Sequence, residues 1–326
     1  MKPFHLFILL FCAPLFASQE FNEFPWQGFA DTSVRLCPEA SHSAATLEDK
    51  INISCSLEGE NQTRFPAQPK NELKVVEWNI ERGYKRHKIA AWLEAQQPDI
   101  VLLSEVDRGC ARTGYRQIAQ YLASELGMYY VYGVEFVEVD DFCEHGNAIL
   151  SRYPMGNVEL IRFKSASSRY VFNRDDELRV GGRMALSADV LIGEQTLRVY
   201  STHLASHFKD AGHRHDQTEE IAEHLKSVKT PIVVGGDMNT HTFFIEARLG
   251  LKSTYVLKPL YKAGLKDAHK GLSASKRTTH PGKPNTIIDF IFYKRATLTS
   301  ASVCSEDSCR RLSDHLPIQA TIKLKK

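Results

Sequence analysis

Polar side chains that can do chemistry end one strand-like run after another in this sequence. They are Asn79 in "VVEWN", Glu105 in "VLLSE", His203 in "VYSTH", and Asp237 and Asn239 in "VVGGDMN". Polar groups carried to the ends of neighbouring strands meet at one edge of a sheet, so these residues predict a shared site. A carboxylate in the position of Glu105, close behind four apolar residues, is costly to bury unless a cation or hydrogen bonds compensate it.

Three residues near the C-terminus extend this set. Asp289 lies within the apolar run "IIDFIFY", and Asp314 and His315 stand in "SDHLP", just before an alternating run typical of a closing strand. A carboxylate beside a histidine orients its imidazole, and we expect Asp314 or Asp289 to do this for His315. Taken alone, "SDHLP" is equally typical of a polar turn.

A hard divalent cation would compensate a buried carboxylate at Glu105. Oxygen ligands dominate the set, so the expected ion is Mg²⁺ or Mn²⁺. No G-x-G-x-x-G or P-loop motif follows a strand-like run, so no nucleotide cofactor is indicated.

The elements that position these residues are short strands mixed with helices. Helical periodicity marks "RHKIAAWLEAQQ", "RQIAQYLASELG" and "DQTEEIAEHLKSV". Strand patterns mark "LKVVEWN", "DIVLLSE", "NAILSR", "ALSADVLI", "QTLRVYSTHL", "TPIVVGGDM", "IIDFIFYK" and "IQATIKLK". Because some strands follow one another directly and others alternate with helices, the pattern predicts an α/β fold of two packed sheets with helices outside.

Composition and charge describe an ordinary globular chain. Of its 326 residues 43% are hydrophobic and 25% charged, with a net charge of +2. That charge is too small to indicate a nucleic-acid partner by itself, although local patches remain compatible with one.

The N-terminus has the pattern of a secretory signal peptide, predicted over residues 1–18. Lys2 precedes an apolar run from Phe4 to Phe16, which is followed by the small residues Ala17 and Ser18. The alternative is an uncleaved membrane anchor, for which the run is short. Export predicts a secreted or periplasmic protein.

Six cysteines remain after removal of the signal. An even count in an exported chain predicts disulfides, with 15 possible pairings. We expect local pairing, and the alternative of a zinc site lacks a C-x-x-C motif. The predicted pairs are Cys37 with Cys55, Cys110 with Cys143, and Cys304 with Cys309.

Residues 19–72 differ in character from the rest of the mature chain and predict an N-terminal extension and linker. They are polar, and Pro66 and Pro69 favour an extended connector. Asn52 and Asn61 begin glycosylation sequons, which matter only if the source glycosylates exported proteins.

With these motifs in order, the chain resembles the endonuclease/exonuclease/phosphatase superfamily of metal-dependent phosphoesterases. The resemblance runs from about Leu73 to Leu324 through "EWNIERG", "PDIVLLSEVD", "GNAILSRYP", "YSTHLAS", "PIVVGGDMNT", "IIDFIFY" and "SDHLPI". It implies that residues 73–326 form a catalytic domain with the DNase I-like four-layer α/β/β/α sandwich, with the site at one edge of the paired sheets.

The resemblance also implies a metal-binding role for three residues. Glu105 corresponds to the principal metal ligand, Asn79 lies beside it, and Asp314 contributes directly or through water. Ser104 stands where many members have glutamine, which leaves the Glu105 ligand in place.

The catalytic roles are implied by the same correspondence. Asp237 would orient or deprotonate the attacking water, and Asn239 would hold that water or a phosphate oxygen. His315, held by Asp289, and His203 would contact the scissile phosphate.

Substrate contacts are expected from Asn147 and from the insertion at residues 163–183. That insertion holds four arginines near aromatic residues, a combination that binds phosphates and stacks bases, although a solvated loop of mixed charge explains it equally well. Its residues of this kind are Arg169, Tyr170, Phe172, Arg174, Arg179 and Arg183.

These features predict an exported, monomeric, Mg²⁺-dependent phosphodiesterase that acts on nucleic acid, as an endonuclease. One alternative is a sphingomyelinase-like phospholipid phosphodiesterase, for which the aromatic segment Tyr129–Phe136 is the candidate membrane contact. Another is a catalytically inactive binding protein on the same fold. Inositol phosphates are disfavoured, because "TTHPGKPNTIID" lacks the Trp-Cys-Asp-Arg stretch of the inositol phosphatases.

Overall fold

A computed structural model describes most of the chain from residue 67 onward. The described residues are 58–60, 67–138, 143–164, 170–172, 178–206, 211–240, 254–282 and 286–325. The predicted signal peptide, most of the extension, both sequons and the Cys37–Cys55 pair lie outside them.

Fifteen strands lie in the described residues. They are β1 (Glu58–Glu60), β2 (Glu72–Arg82), β3 (Ile100–Arg108), β4 (Tyr129–Glu138), β5 (Cys143–Ser151), β6 (Met155–Arg162), β7 (Tyr170–Phe172), β8 (Leu178–Gly181), β9 (Met184–Ile192), β10 (Gln195–His203), β11 (Ile232–Asp237), β12 (Lys266–Asp267), β13 (Asp289–Lys294), β14 (Ala296–Val303) and β15 (Ile318–Leu324).

The helices alternate with some of these strands. They are α1 (Arg86–Gln96), α2 (Ile118–Leu126), α3 (Ala211–His224), α4 (Thr254–Lys262) and the short α5 (Asp307–Arg310), with 3-10 turns at Ala111–Thr113 and Ala274–Lys276. Gly127 ends α2 in the left-handed conformation that glycine adopts without strain.

The strands form two sheets. The nine-stranded sheet has the order β14-β15-β2-β3-β5-β4-β8-β7, with β1 paired to β4. The six-stranded sheet has the order β12-β13-β11-β10-β9-β6. All eight predicted strands are confirmed, and the six that carry site residues are neighbours in one sheet or the other.

Alternation along β2 explains how the sheets pack. Leu73 and Val75 join the apolar layer between the sheets, whereas Val76 and Trp78 join the layer beneath the outer helices. Because successive side chains of a strand point to opposite faces, one strand supplies two hydrophobic layers.

Helices cover the outer face of each sheet. Ile89 of α1 and Leu122 of α2 pack on the nine-stranded sheet, and Ile221 of α3 and Leu257 of α4 pack on the six-stranded one. The four-layer α/β/β/α sandwich is therefore confirmed. The three predicted helices are confirmed too, although α3 begins at Ala211, earlier than its periodicity predicted.

The aromatic segment Tyr129–Phe136 is not the exposed membrane contact that was considered for it. It forms most of β4, which pairs with β5 and β8 inside the nine-stranded sheet. Tyr130, Tyr132 and Phe136 are all at least nine-tenths buried. The segment is apolar because both faces of β4 are covered. In the part of the chain that is described, no helix is both long and apolar enough to cross a membrane.

Two of the predicted disulfides are confirmed, Cys110–Cys143 and Cys304–Cys309. The first links the loop after β3 to the first residue of β5. The second closes the short segment between β14 and α5.

We predict that the Cys110–Cys143 bond contributes more to stability than the Cys304–Cys309 bond. The bonds span 33 and 5 residues. The loss of chain entropy in the unfolded state predicts losses of about 3–4 and about 2 kcal/mol when each is removed. Urea denaturation of the Cys110→Ala/Cys143→Ala and Cys304→Ala/Cys309→Ala variants measures both. An unchanged free energy of unfolding in the first variant contradicts the prediction.

Candidate active site

The strand register brings the predicted catalytic residues together at one edge of the sandwich. In the six-stranded sheet, Asp237 is the direct partner of His203 on one side and of Asp289 on the other. In the nine-stranded sheet, Asn79 of β2 is the partner of Ser104, which precedes Glu105.

Asp237 lies at the centre of the site. Its Oδ2 is 3.2 Å from Asn79 Nδ2, 3.5 Å from His203 Nε2 and 3.8 Å from His315 Nε2. Its Oδ1 accepts a hydrogen bond of 2.9 Å from the backbone N–H of Asn239. One buried carboxylate therefore faces an amide from the other sheet and two imidazoles.

Two glycines allow close packing around β11, Gly235 against the other sheet and Gly236 against the neighbouring strand β10. A Cβ on Gly235 would lie 2.6 Å from Leu102 Cδ1 and 3.2 Å from Glu77 Cγ. A Cβ on Gly236, whose φ is +155°, would lie 1.8 Å from the carbonyl oxygen of Thr202. Any larger residue would displace β11 and with it Asp237.

Asn239 lies in the loop just beyond the end of β11. β11 ends at Asp237, and Asn239 adopts a left-handed φ of 46°. Its side-chain amide donates to the carbonyl oxygen of Leu204. The buried Asn239 thus fixes the loop after β10 while its backbone N–H holds Asp237.

Burial and a neighbouring charge set the protonation of Asp237. Desolvation and the Asp289 carboxylate raise the pKa of Asp237 to about 7, against the opposing effects of His315 and the Asn239 N–H. A carboxyl with this pKa exchanges a proton near neutral pH.

His315 is held by Asp289, as predicted. Its Nδ1 lies 2.9 and 3.0 Å from the two carboxylate oxygens of Asp289. Burial alone would lower the pKa of His315, but the charge and hydrogen bond of Asp289 raise it well above the usual value. The imidazole is therefore cationic, with Nε2 turned toward Asp237. The other possible partner, Asp314, is exposed and accepts from Ser313 Oγ at 3.3 Å.

His203, in contrast to His315, is neutral. Arg183 Nη1 lies 2.8 Å from His203 Nδ1, and because a guanidinium only donates, Nδ1 is the acceptor. Burial, followed by the charge of Arg183, lowers the pKa of His203 well below its usual value. The imidazole is neutral, and its proton sits on Nε2, facing Asp237.

Buried ion pairs hold the arginines at the end of the insertion. Arg183 pairs with Glu135 at 2.9 Å, and Arg179 pairs with Glu138 at 3.0 Å. Asn147 donates to Glu135 Oε1 at 3.3 Å. Arg183 and Asn147 thus lie in the wall of the site. Arg169 and Arg174 lie outside the described residues.

Glu105 has the features of an ionised ligand. Its φ of 53° interrupts the register of β3, and its side chain is partly buried. Burial would raise the pKa of Glu105, but His145, His315 and a hydrogen bond from Asn79 hold it below the usual value. A carboxylate kept ionised at low exposure is suited to a hard cation.

Glu81 is a residue of the site that the sequence analysis missed. Burial, followed by the charges of Asp314 and Glu105, raises the pKa of Glu81. A divalent cation would relieve this repulsion of Glu81 by the other two carboxylates, so the oxygen-rich donor set fits Mg²⁺. The motif "EWNIERG" could have indicated this residue. Glu81 follows Asn79 by two residues, which is the spacing of the site residues Asp237 and Asn239.

The predicted metal ligands Asn79, Glu105 and Asp314 do not coincide with the closest clusters of possible ligand atoms. Among the described residues, the groups of at least three His, Asp or Glu residues with ligand atoms within 4.8 Å do not include Glu105. One of them combines Asp237, Asp289 and His315. The assignment of Asn79, Glu105 and Asp314 to a metal therefore stays a prediction.

Glu77 and His145 were also missed. Glu77 is fully buried beneath the site, and neither carboxylate oxygen has a hydrogen-bond partner among the described residues. Burial, then Asp289 and Asp237, raises the pKa of Glu77 well above its usual value. His145 is buried on Asp107, with Nδ1 3.0 Å from the carboxylate. Both face the site because each lies two residues before Asn79 or Asn147 on the same strand.

Comparisons with known proteins agree with this fold. The uncharacterized protein YbhP of Escherichia coli strain K12 is 26% identical over 211 residues, which are 63% of this chain and 72% of YbhP. An endonuclease/exonuclease/phosphatase from Beutenbergia cavernae superposes with a TM-score of 0.62 at 22% identity, over 78% of this chain and 72% of that one.

Two eukaryotic structures share the fold as well. The human Nocturnin catalytic domain with bound sulfate superposes with a TM-score of 0.60 at 20% identity, over 84% of this chain and 98% of that one. TDP2 of D. rerio, in complex with a single-strand DNA product, gives 0.56 at 19% identity, over 78% of this chain and 100% of that one.

A family profile covers the catalytic core. The profile described as Endonuclease/Exonuclease/phosphatase family matches residues 76–315, which reach from β2 to His315 and include the site assembled above, from Asn79 onward. The chain belongs to the endonuclease/exonuclease/phosphatase family.

Proposed function

We propose that this protein is an exported, Mg²⁺-dependent phosphodiesterase that hydrolyses nucleic acid. The observation that carries the proposal is the position of Asp237 between a neutral and a cationic imidazole. Its Oδ2 lies 3.5 Å from His203 Nε2 and 3.8 Å from His315 Nε2. A base between two donors can activate a water while the donors bind the phosphate that the water attacks.

Asp237 acts as the general base in this proposal. A pKa of about 7 leaves a substantial fraction of Asp237 ionised at neutral pH and makes it basic enough to accept a proton from water. Hydrogen bonds from Asn79 and Asn239 fix the direction of the carboxylate.

The two histidines have separate roles. His203 donates from Nε2 to a non-bridging phosphate oxygen, since Arg183 occupies its Nδ1. His315 is a cation whose Nδ1 is engaged by Asp289, so its Nε2–H binds the phosphate or protonates the leaving oxygen. These donors stabilise the charge that develops on phosphorus-bound oxygens.

Glu105, Asn79 and Asp314, with Glu81 as an additional ligand, would hold the Mg²⁺. When bound, Mg²⁺ stabilises negative charge on the phosphate oxygens and the leaving group. The lowered pKa of Glu105 and the repulsion of Glu81 by Glu105 and Asp314 support this assignment.

Two aromatic loops beside the site support nucleic acid as the substrate. Tyr84 and Tyr115 are 43% and 73% exposed, and they lie on the loops after the strands of Asn79 and Glu105. The first of these loops packs on the helix that follows the second, because Gly83 lies directly against Ile118, the first residue of α2. Exposed aromatic rings near a phosphodiesterase site are platforms on which bases stack.

The same loops carry positive charge. Arg82 donates to Tyr84 Oη at 3.4 Å. Lys85, Lys88 and Arg116 are exposed nearby in sequence. Cations next to aromatic rings favour a polyanion with bases over a neutral lipid headgroup. The lipid alternative has lost its candidate contact, since Tyr129–Phe136 is a buried strand.

Export is supported by the signal-peptide pattern of residues 1–18 and by two disulfides. Disulfides persist in oxidising compartments and are rare in the cytosol. The secreted or periplasmic location follows from this.

We predict that Glu105→Ala and His315→Ala each lower turnover by about 10²–10⁴-fold, because a metal ligand and a phosphate donor are lost. The measurement is hydrolysis of single-stranded DNA, plasmid DNA, RNA, sphingomyelin and inositol phosphates by the mature protein with Mg²⁺. A chelator is expected to stop hydrolysis, and added Mg²⁺ or Mn²⁺ to restore it.

Glu94→Ala, which removes an exposed carboxylate from α1, is the matched control and should keep full activity. Undiminished turnover in either site variant contradicts the site assignment. Cleavage of sphingomyelin in preference to nucleic acid contradicts the substrate, and no cleavage of any substrate supports the inactive binding protein.

We also predict that Asp289→Asn shifts the pH profile of kcat/KM to lower pH. Asp289 raises the pKa of both Asp237 and His315. The base works above its pKa and the acid works below its own, so lowering both values moves both limbs of the profile downward. Asp99→Asn, which alters a buried carboxylate just before β3, is expected to leave the limbs in place. Unmoved limbs in Asp289→Asn contradict the proposed roles.

A further inference from the structure

We propose that His280, Asp314 and His315 form a binding site for a transition-metal cation of the Zn²⁺ class, and that its occupation stops hydrolysis. Each residue offers one ligand atom, and these atoms all lie within 4.8 Å of one another. The binding stands on this geometry alone, whereas the inhibition rests on the proposed function.

The imidazole rings of His280 and His315 are in edge-to-face contact. Their ring centroids are 4.9 Å apart with an interplanar angle of 65°. Because Asp289 engages Nδ1 of His315, Nε2 is the nitrogen that His315 presents. A carboxylate behind a histidine is the usual support of a metal-binding imidazole.

The backbone under His280 is braced against the loop that carries the other two ligands. The carbonyl oxygen of Thr279 accepts a 2.6 Å hydrogen bond from the N–H of Leu316, next to His315. His280 and Thr286 exchange backbone hydrogen bonds of 3.2 and 3.0 Å. The segment is therefore built into the wall of the site.

The three ligand atoms are close enough together to bind zinc after a small movement of each side chain. Tetrahedral zinc with bonds of about 2.0–2.2 Å needs ligand atoms about 3.3–3.6 Å apart, so a movement of about 0.7 Å by each atom closes even the widest permitted gap. Asp314 is exposed and His280 partly exposed, which leaves the remaining coordination position open to water.

The donor set separates this site from the proposed Mg²⁺ ligands. Two imidazole nitrogens and one carboxylate favour zinc and its neighbours in the first transition series, whereas Mg²⁺ prefers oxygen. The sites share Asp314, and zinc would also bind Nε2 of His315, whose proton is released to solvent because only a deprotonated nitrogen ligates a metal. A bound zinc ion therefore removes two groups on which hydrolysis depends.

Calorimetry with Zn²⁺ alone, on the mature protein without substrate, tests the binding. The expected result is a site that His280→Phe weakens at least about tenfold, because phenylalanine keeps a ring against His315 but lacks the nitrogen. Visible absorption of Co²⁺ in place of Zn²⁺ reports on the nitrogen ligands independently of any activity. His280→Ala serves as a second variant.

His215→Ala is the matched control. His215, Asp216 and Glu219 form the other exposed cluster with metal-ligand spacing among the described residues. The control is expected to retain the affinity that His280→Phe loses. If His215→Ala removes the affinity, or if His280→Phe leaves both the affinity and the Co²⁺ spectrum unchanged, the proposed site is wrong.

Inhibition is measured separately in the presence of Mg²⁺ on a phosphodiester. We expect His280→Phe to raise the Zn²⁺ concentration for half-inhibition by the same factor as the dissociation constant. The inhibition of each variant is expressed relative to that variant's own activity without zinc. Zinc that binds here without inhibiting overturns the inhibitory role. Absence of any hydrolysis overturns the proposed function and leaves the calorimetric result as the test of the site.

Discussion

The hydrogen-bonded ion pair between His315 and Asp289 is the interaction on which the site depends. Asp237 and Asp289 are direct partners across β11 and β13, and both are almost fully buried. Two adjacent carboxylates repel each other strongly when water is excluded, and a cation between them offsets that repulsion. His315 is that cation, with one nitrogen at Asp289 and the other toward Asp237.

The environments of two histidines at one sheet edge give them different protonation states, one cationic and one neutral. His315 faces carboxylates and is protonated, whereas His203 meets the guanidinium of Arg183 and is neutral. Because a neutral histidine next to a guanidinium has only one possible tautomer here, the direction of its remaining N–H is fixed. The site thus presents two directed donors around a single base. Close packing of Gly235 against the other sheet and of Gly236 against β10 holds that base in position.

The sequence allowed the fold and much of this constellation to be predicted, since both follow local rules. Strands reveal themselves by apolar runs, and a polar residue such as Asp237 at the end of one is visible without a structure. The role considered for Tyr129–Phe136 was wrong. Both faces of β4 are buried, so the segment lacks the alternation of apolar and polar residues that marks a strand, and its aromatic residues suggested a membrane contact instead.

Side-chain contacts between different elements could not be predicted from the sequence. Arg183, just before β9, contacts His203 at the end of β10, and the tautomer of His203 depends on this contact, which no local pattern encodes. The same holds for His280, which meets His315 only because its loop folds back on Leu316. The burial of Glu77 was the hardest feature to predict. The strand pattern of β2 indicates that some of its side chains face inward, but it does not indicate that a carboxylate is fully buried there.

The most direct test of the account is the turnover of Asp237→Asn on a phosphodiester in the presence of Mg²⁺. The amide matches the shape of the carboxylate but accepts no proton from water. We predict a loss of about 10²–10⁴-fold in kcat with an unchanged melting temperature. Turnover equal to that of the wild type in a folded Asp237→Asn variant would contradict the claim that Asp237 is the base at the centre of this site.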